Sequence, residues 1–425
     1  MTHILDDLEW RGVVADTTDR AALRAALDAG PVTFYCGFDP TAPSLHFGNL
    51  VQLVTMRRLQ RAGHRPLGLV GGATGLIGDP SGRTSERVLN ESEVVEGWVT
   101  RIRAQVERFL SFEGDNAAVV VNNLDWTRSL SAVDFLRDVG KHFSVNRMLA
   151  REAVAARLAA GGISYTEFSY QILQSLDFLE LNRRHGCTLQ TGGSDQWGNI
   201  TAGVDLVRRV TGAHVHALST QLLLKADGTK FGKTAEGAVW LDPTMTSPYA
   251  FHQYLLNADD ADVSRLLRVF SFRSHEEIQD LEAEVADRPA ARAAQRALAD
   301  ELTTLVHGPG ETARAVAAAR AVFGQGDLAD VEPATLDAAL ATAPHATAGP
   351  GDTYADLFAA VGLVPSKSAA RRAVAEGGAY VNNRRLTDAE AVPGPADYLH
   401  GTWVVLRRGK RAIGGVRRAL PPGLS

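Results

Sequence analysis

Cysteine is nearly missing from this chain. Cys36 and Cys187 are the only two in 425 residues, and they stand far apart. That excludes a disulfide framework and a CxxC metal site, and it fits a reducing compartment. No secretory signal is expected either, because Asp6, Asp7 and Glu9 follow the first residues at once. No uncharged apolar run reaches the ~18 residues that a membrane-crossing helix needs. Two nucleotide fingerprints are also absent. There is no GxGxxG, and "KADGTKFGKT" (Lys225–Thr234) falls short of a P-loop because Asp227 stands where its first glycine belongs. The expectation is a cytoplasmic protein with no membrane partner and no DNA partner.

What is present is an ordinary globular composition, 45% apolar and 22% charged. The length suits two or three domains. The net charge of −5 is unevenly spread: from Asp352 onward there are 11 Lys and Arg against 6 Asp and Glu, and before it 33 against 43. A basic tail on an acidic body points to an anionic partner for the tail, or more simply to a solvated surface.

Short β-rich runs alternate with helical patterns through residue 247. Val32–Phe38, Pro66–Gly72, Ala118–Val121 and Thr188–Thr191 read as strands. Asn49–Ala62, Glu91–Ser111 and Thr166–His185 read as helices. This alternation predicts an α/β fold: a doubly wound, Rossmann-like parallel-sheet catalytic domain over 1–247, with ligands beyond the carboxyl ends of its strands. Residues 248–325 read as an α-helical domain and 326–351 as a linker rich in Ala, Thr, Pro and Gly. Residues 352–425 read as a small C-terminal α+β module.

Four stretches carry chemistry. In "DPTAPSLHFGNL" (Asp39–Leu50), His46 and Gly48 open a helix just past a strand, where unpaired N–H groups attract phosphate. A packing glycine beside a helix-start histidine explains the same letters. "KFGKT" places Lys230 and Lys233 three apart in a Gly-rich segment, suited to a leaving pyrophosphate. A solvated charged turn is its simpler alternative. Tyr170, Gln174 and Asp177 share one stripe of an otherwise apolar helix, so the acid needs a partner: a ligand or a structural network. "LQTGGSDQWGN" (Leu189–Asn199) ends a strand in glycines before Asp195 and Gln196, and "VGGATGLIGDPSG" (Val70–Gly82) does so before Asp79. An acid so placed can hold a ribose hydroxyl.

Taken together, the four closely resemble the bacterial tyrosyl-tRNA synthetases, class I aminoacyl-tRNA synthetases. "HFGN" is similar to that family's HIGH motif and "KFGKT" to its KMSKS motif. "YCGFDPTAPSLH", "LVGGATGLIGDPSG", "GKHFSVN", "TEFSYQILQ" and "GGSDQWGNITAG" match almost word for word. The resemblance implies a Tyr35–Asp177 pair on the substrate phenol, Asp79, Tyr170 and Gln174 on its ammonium, and Gln196 on its carboxylate. Asp39, Thr41, His46 and Asn49 would serve ATP, with Gly48 under the adenine and Gly193 and Asp195 on the ribose. His46, Thr41, Lys230 and Lys233 would be catalytic, the lysines clamping pyrophosphate. Asn49 stands where the family's second histidine usually is.

The implied reaction activates L-tyrosine with ATP and passes tyrosyl to the 3′-terminal ribose of tRNA(Tyr). Mg²⁺ would travel with the ATP phosphates, without a dedicated protein site. The C-terminal module is implied to bind RNA, with Lys367, Arg371, Arg372, Arg384 and Arg385 as phosphate partners. A homodimer is implied, with "FLRDVGKHFSVN" near its interface. A tryptophan-specific relative, a non-catalytic RNA-binding paralogue and a small-molecule nucleotidyltransferase are the alternatives. The last leaves the basic tail unexplained.

Overall fold

The computed structural model describes residues 2–81, 90–226, 228–229, 231–234, 237–409 and 412–419. The chain forms two compact units: residues 1–242 with 259–287, and residues 243–258 with 288–425.

The first unit is built on a six-stranded sheet. Its strands are β1 (Val14–Thr17), β2 (Thr33–Phe38), β3 (Arg65–Val70), β4 (Val119–Asn122), β5 (Leu189–Gly193) and β6 (His216–Thr220), in spatial order β1-β6-β5-β2-β3-β4. All neighbours are parallel except the edge pair β1 and β6. Central parallel strands are covered on both faces and so read as continuous apolar runs. In β2, Phe34, Tyr35, Cys36 and Phe38 are all buried. The sequence reading found β2 to β5 but not β1 or β6, which end in the polar pairs Asp16-Thr17 and Ser219-Thr220.

After β2 the chain moves outward to β3 and β4, then crosses back to lay β5 and β6 on the other side. The order therefore reverses between β2 and β5, and a crevice opens above their carboxyl ends. The helices Phe47–Arg61 and Ser92–Glu107 pack on β3, and Trp197–Thr211 packs on β5 and β6. The helix Tyr165–His185 starts at the Ser164 hydroxyl, which accepts from the Glu167 N–H at 3.3 Å. It stops at Gly186, whose φ of 63° suits a residue without Cβ.

Two expectations about organisation are corrected. The helices Asp260–Phe270 and His275–Asp287 do not join the other helices of the 248–325 span but belong to the first unit. Arg11 and Arg58 hold them there, donating to the Ser271 carbonyl at 2.9 and 2.6 Å. The 326–351 span is not a tether either. It contains the helix Pro333–Ala341 and a strand, β9 (His345–Thr347). Its alanines misled the reading, because small apolar residues serve in linkers and in tight cores alike.

With the hairpin β7 (Lys233–Thr234) and β8 (Gly237–Ala238) of the first unit counted, the second unit's strands are β9, β10 (Ala379–Val381), β11 (Arg384–Arg385), β12 (Trp403–Arg408) and β13 (Ala412–Arg417). They form a sheet in the order β11-β10-β12-β13-β9. Asn382 and Asn383 turn β10 into β11 with φ of 46° and 63°, the two-residue hairpin form that asparagine tolerates. One core joins the helices to this sheet: Ala318, Val322, Leu336 and Leu340 pack with Trp403 and Val405. Among the described residues no helix is long and apolar enough to cross a membrane.

Candidate active site

The crevice is a cavity of about 700 Å³ in the first unit. Tyr35, Asp39, Asp79, Tyr170, Asp177 and Gln196 are among the groups that line it. Nearly every substrate and nucleotide residue expected from the sequence is brought to this one place, including Thr41, His46, Gly48, Asn49, Gln174, Gly193 and Asp195.

At its deep end, Tyr35 is 1% exposed, and its hydroxyl has no hydrogen-bond partner among the described residues. Such a group costs free energy until something supplies a partner. Burial, and then the nearby Asp177 carboxylate, push its pKa well above the usual phenol value. Asp177 itself is 2% exposed. Its Oδ1 accepts from Trp126 Nε1 at 3.0 Å and its Oδ2 from Asn123 Nδ2 at 3.1 Å. Burial pushes the Asp177 pKa up to about 8, against the lowering effect of those two donors. The sequence reading missed Asn123 and Trp126. Their signal was the polar run directly after β4, at a strand's carboxyl end.

A hydrogen-bonded chain crosses the floor. Asn123 Nδ2 also donates to Thr74 Oγ1 at 3.0 Å, and Thr74 Oγ1 donates to Asp39 Oδ1 at 2.6 Å. The Tyr170 hydroxyl donates to Asp39 Oδ2 at 2.6 Å. A Cβ on Gly71 would run into the Asp39 carboxylate and the Thr74 hydroxyl, so this floor needs glycine there. Tyr170 therefore meets Asp39, which the family pattern gave to ATP. The Asp79 Oδ2 accepts from Gln196 Nε2 at 2.6 Å and its Oδ1 from the Ser81 N–H at 2.9 Å. Gln174 Oε1 is buried without a hydrogen-bond partner among the described residues. A floor with carboxylates at Asp39 and Asp79 favours a cation such as an ammonium group.

The helix start at His46, also on the cavity, offers donors that suit an anion. His46 caps the helix Phe47–Arg61: its Nδ1 accepts from the Gly48 N–H at 3.1 Å, while Asn49 Oδ1 accepts from the His46 N–H at 3.0 Å. An imidazole that accepts at Nδ1 carries its proton on Nε2 when neutral, so Nε2–H is a donor. A Cβ on Gly48 would stand 2.9 Å from His46 Cε1. Gly48 thus makes room for the histidine ring. Asn49 has a role of its own, as the acceptor that completes the cap. Cys36 also lines the cavity, but burial pushes its thiol up to about 12, so it stays protonated and is not a nucleophile.

Lys230 and the side chain of Lys233 lie outside the described residues. Gly232, between them, lines the cavity. Among the described residues no group of three or more His, Cys, Asp and Glu is placed to hold a metal ion.

In the second unit, Lys367 pairs with Asp356, and Arg371 Nε donates to Glu390 Oε1 at 2.6 Å. Arg372, Arg384 and Arg385 are exposed. Two of the five expected phosphate partners are thus already engaged with acids.

Residues 27–324 match the family model "tRNA synthetases class I (W and Y)", and residues 337–413 match "Tyrosine--tRNA ligase SYY-like C-terminal domain". The chain is 65% identical to a tyrosine--tRNA ligase of Streptomyces avermitilis over 98% of this chain and 99% of that relative. It is 59% identical to one of Mycobacterium tuberculosis over the same shares. Among solved structures, the C-terminally truncated mitochondrial tyrosyl-tRNA synthetase of Coccidioides posadasii aligns with a TM-score of 0.66 at 32% identity, over 74% of this chain and 91% of that one.

Proposed function

The chain belongs to the class I tRNA synthetase family of the tryptophan and tyrosine enzymes, and from that premise we propose that it charges tRNA(Tyr) with L-tyrosine. One observation carries the amino-acid choice: the Tyr35 hydroxyl, unpartnered among the described residues, and the Asn123- and Trp126-held Asp177 carboxylate line the same buried end of the cavity. A phenol hydroxyl can accept from Tyr35 while donating to Asp177. An indole N–H offers a donor and no acceptor, and a phenyl ring offers neither.

In the first step a tyrosine carboxylate oxygen attacks the α-phosphorus of ATP. The new P–O bond replaces the bond to pyrophosphate, which leaves with its charge. In the second step a terminal ribose hydroxyl of the tRNA attacks the tyrosyl carbonyl, and AMP leaves. No protein nucleophile is required; position and charge stabilisation supply the rate. Asp79 and Gln174 hold the ammonium, with Tyr170 bracing Asp39 beside them. Gln196 orients the carboxylate. Thr41 and the His46 Nε2–H meet the phosphates, and Gly193 and Asp195 meet the ribose. Lys230 and Lys233 neutralise the departing pyrophosphate. Mg²⁺ arrives with ATP as its counter-ion.

The second unit holds the tRNA, and the enzyme works in the cytoplasm as a homodimer. Val133, Leu136 and Val145 support the dimer: these apolar residues in and around the expected interface segment are 69%, 54% and 58% exposed. ATP–pyrophosphate exchange with each of the twenty amino acids tests the reading. Tyrosine alone should support exchange. Exchange with tryptophan would move the chain to the other branch, and none at all would mark a non-catalytic RNA-binding protein.

A further inference from the structure

The segment that carries the two lysines is tied at its start by a side chain outside every motif. The Ala226 N–H donates to Asp262 Oδ1 at 2.9 Å, across 36 residues of chain. Asp262 lies in the first turn of the helix Asp260–Phe270 and is only 3% exposed. The same helix reaches the motifs again at its far end. Phe270 packs edge-on against Phe47 with centroids 5.0 Å apart, and Phe47 packs against Phe231 at 5.3 Å. Phe47 belongs to HFGN and Phe231 to KFGKT. Backbone bonds reinforce the join: Phe47 N–H to the Val239 carbonyl at 2.8 Å, and Val239 N–H to the Gly232 carbonyl at 2.9 Å. One helix therefore holds the start of the lysine segment with an acid and backs its middle with an aromatic stack.

An acid in the first turn of a helix also complements the helix dipole. That alone does not require burial, which disfavours a carboxylate unless hydrogen bonds compensate. Here the compensating donor comes from the lysine segment. Arg265 stands 3.8 Å from Asp262 Oδ1 and is 46% exposed.

We propose that Asp262 is a positioning residue for adenylate formation. It fixes Ala226, so that the chain leaving this point presents the lysine segment to the ATP phosphates. The inference rests on the functional reading above. Groups that meet charge developing in the transition state lose their effect when displaced by about an ångström.

Two variants of the full chain separate this from a purely structural role. Asp262→Asn keeps an acceptor oxygen; Asp262→Ala removes it. Tyrosine affinity is measured by equilibrium dialysis, and tyrosyl-adenylate formation by single-turnover rapid quench. Asp262→Ala should slow adenylate formation about tenfold with tyrosine affinity unchanged, in keeping with one lost hydrogen bond. Asp262→Asn should restore the rate to within about twofold. A helix-dipole role would be lost equally in both variants, and general destabilisation would weaken tyrosine binding too; either pattern overturns the proposal. Should Asp262→Ala fail to fold, Ala226→Pro removes the donor from the other side, and a wild-type rate there also overturns it. Wild-type exchange with tyrosine is run alongside. Its absence would sink the functional reading, whereas a normal wild-type with an indifferent Asp262→Ala sinks only the anchor.

Discussion

The cavity of the first unit and the basic face of the second handle charge in opposite ways. In the cavity, Asp177 is buried and bonded to Asn123 and Trp126, and Asp39 is bonded to Tyr170 and Thr74. On the second unit, Arg372, Arg384 and Arg385 are exposed, and the Lys367 and Arg371 pairs stand in solvent. A buried polar group with fixed partners is expensive to leave unpaired, so one deletion has a large and specific effect. An exposed charge is screened by salt and replaceable by its neighbours, so each one counts for little. The contrast suits the two tasks proposed above: telling a phenol from a phenyl ring in the first unit, and holding a polyanion on the second.

The strongest way to break the comparison is Asp177→Ala. Sites that hydrogen-bond a substrate hydroxyl reject the analogue lacking it by about 10⁴–10⁵-fold, a range carried over from tyrosine-specific synthetases themselves. The tyrosine-over-phenylalanine ratio of kcat/KM in pyrophosphate exchange should collapse in this variant. A ratio left intact would remove Asp177 from the specificity site. Next in size is Lys233→Ala, expected to slow single-turnover adenylation by roughly 10²–10³-fold, as for loss of one oxyanion donor, with tyrosine affinity unchanged.

Trp403→Ala probes the core that joins helices and sheet in the second unit. Loss of a buried tryptophan there should cost about 3–5 kcal/mol in that unit's unfolding, read by denaturant titration, while pyrophosphate exchange persists. Equal loss of exchange would show that the two units do not divide the work as proposed.

A smaller effect sharpens the electrostatic half. The folded pKa of Asp177, about 8, lies above its unfolded value of about 4. Its contribution to stability is therefore fully present below pH ~4 and is lost as pH rises to ~8. Thermal scans of the ligand-free protein should show a fall over this window that Asp177→Asn flattens; parallel curves for the two proteins would contradict the burial argument. The smallest change expected is from Arg384→Ala. It should weaken tRNA binding slightly and lower the salt slope by about 1, leaving adenylation untouched.

Much of the site was legible before the fold was known. The positions of His46, Gly48, Asp79, Tyr170, Asp177 and Asp195 follow from glycine-ended strands, a helix start and one helical stripe. Local geometry places such groups, because a strand's end or a helix's first turn exposes whatever residue stands there. Their partners were not legible. Asn123 and Trp126 come from beyond β4 to reach Asp177, and Asp39 takes the Tyr170 hydroxyl across 131 residues.

The sequence by itself determined the alternation of strands and helices, the motif segments and the charge division, since each is a property of neighbouring residues. Tertiary structure alone decided that 326–351 is packed rather than free. It also decided that Asp262 in a distant helix grips the chain at Ala226. Those outcomes depend on which surfaces and donors meet across long stretches of chain. Burial and hydrogen-bond satisfaction select among such meetings only once the whole unit has closed.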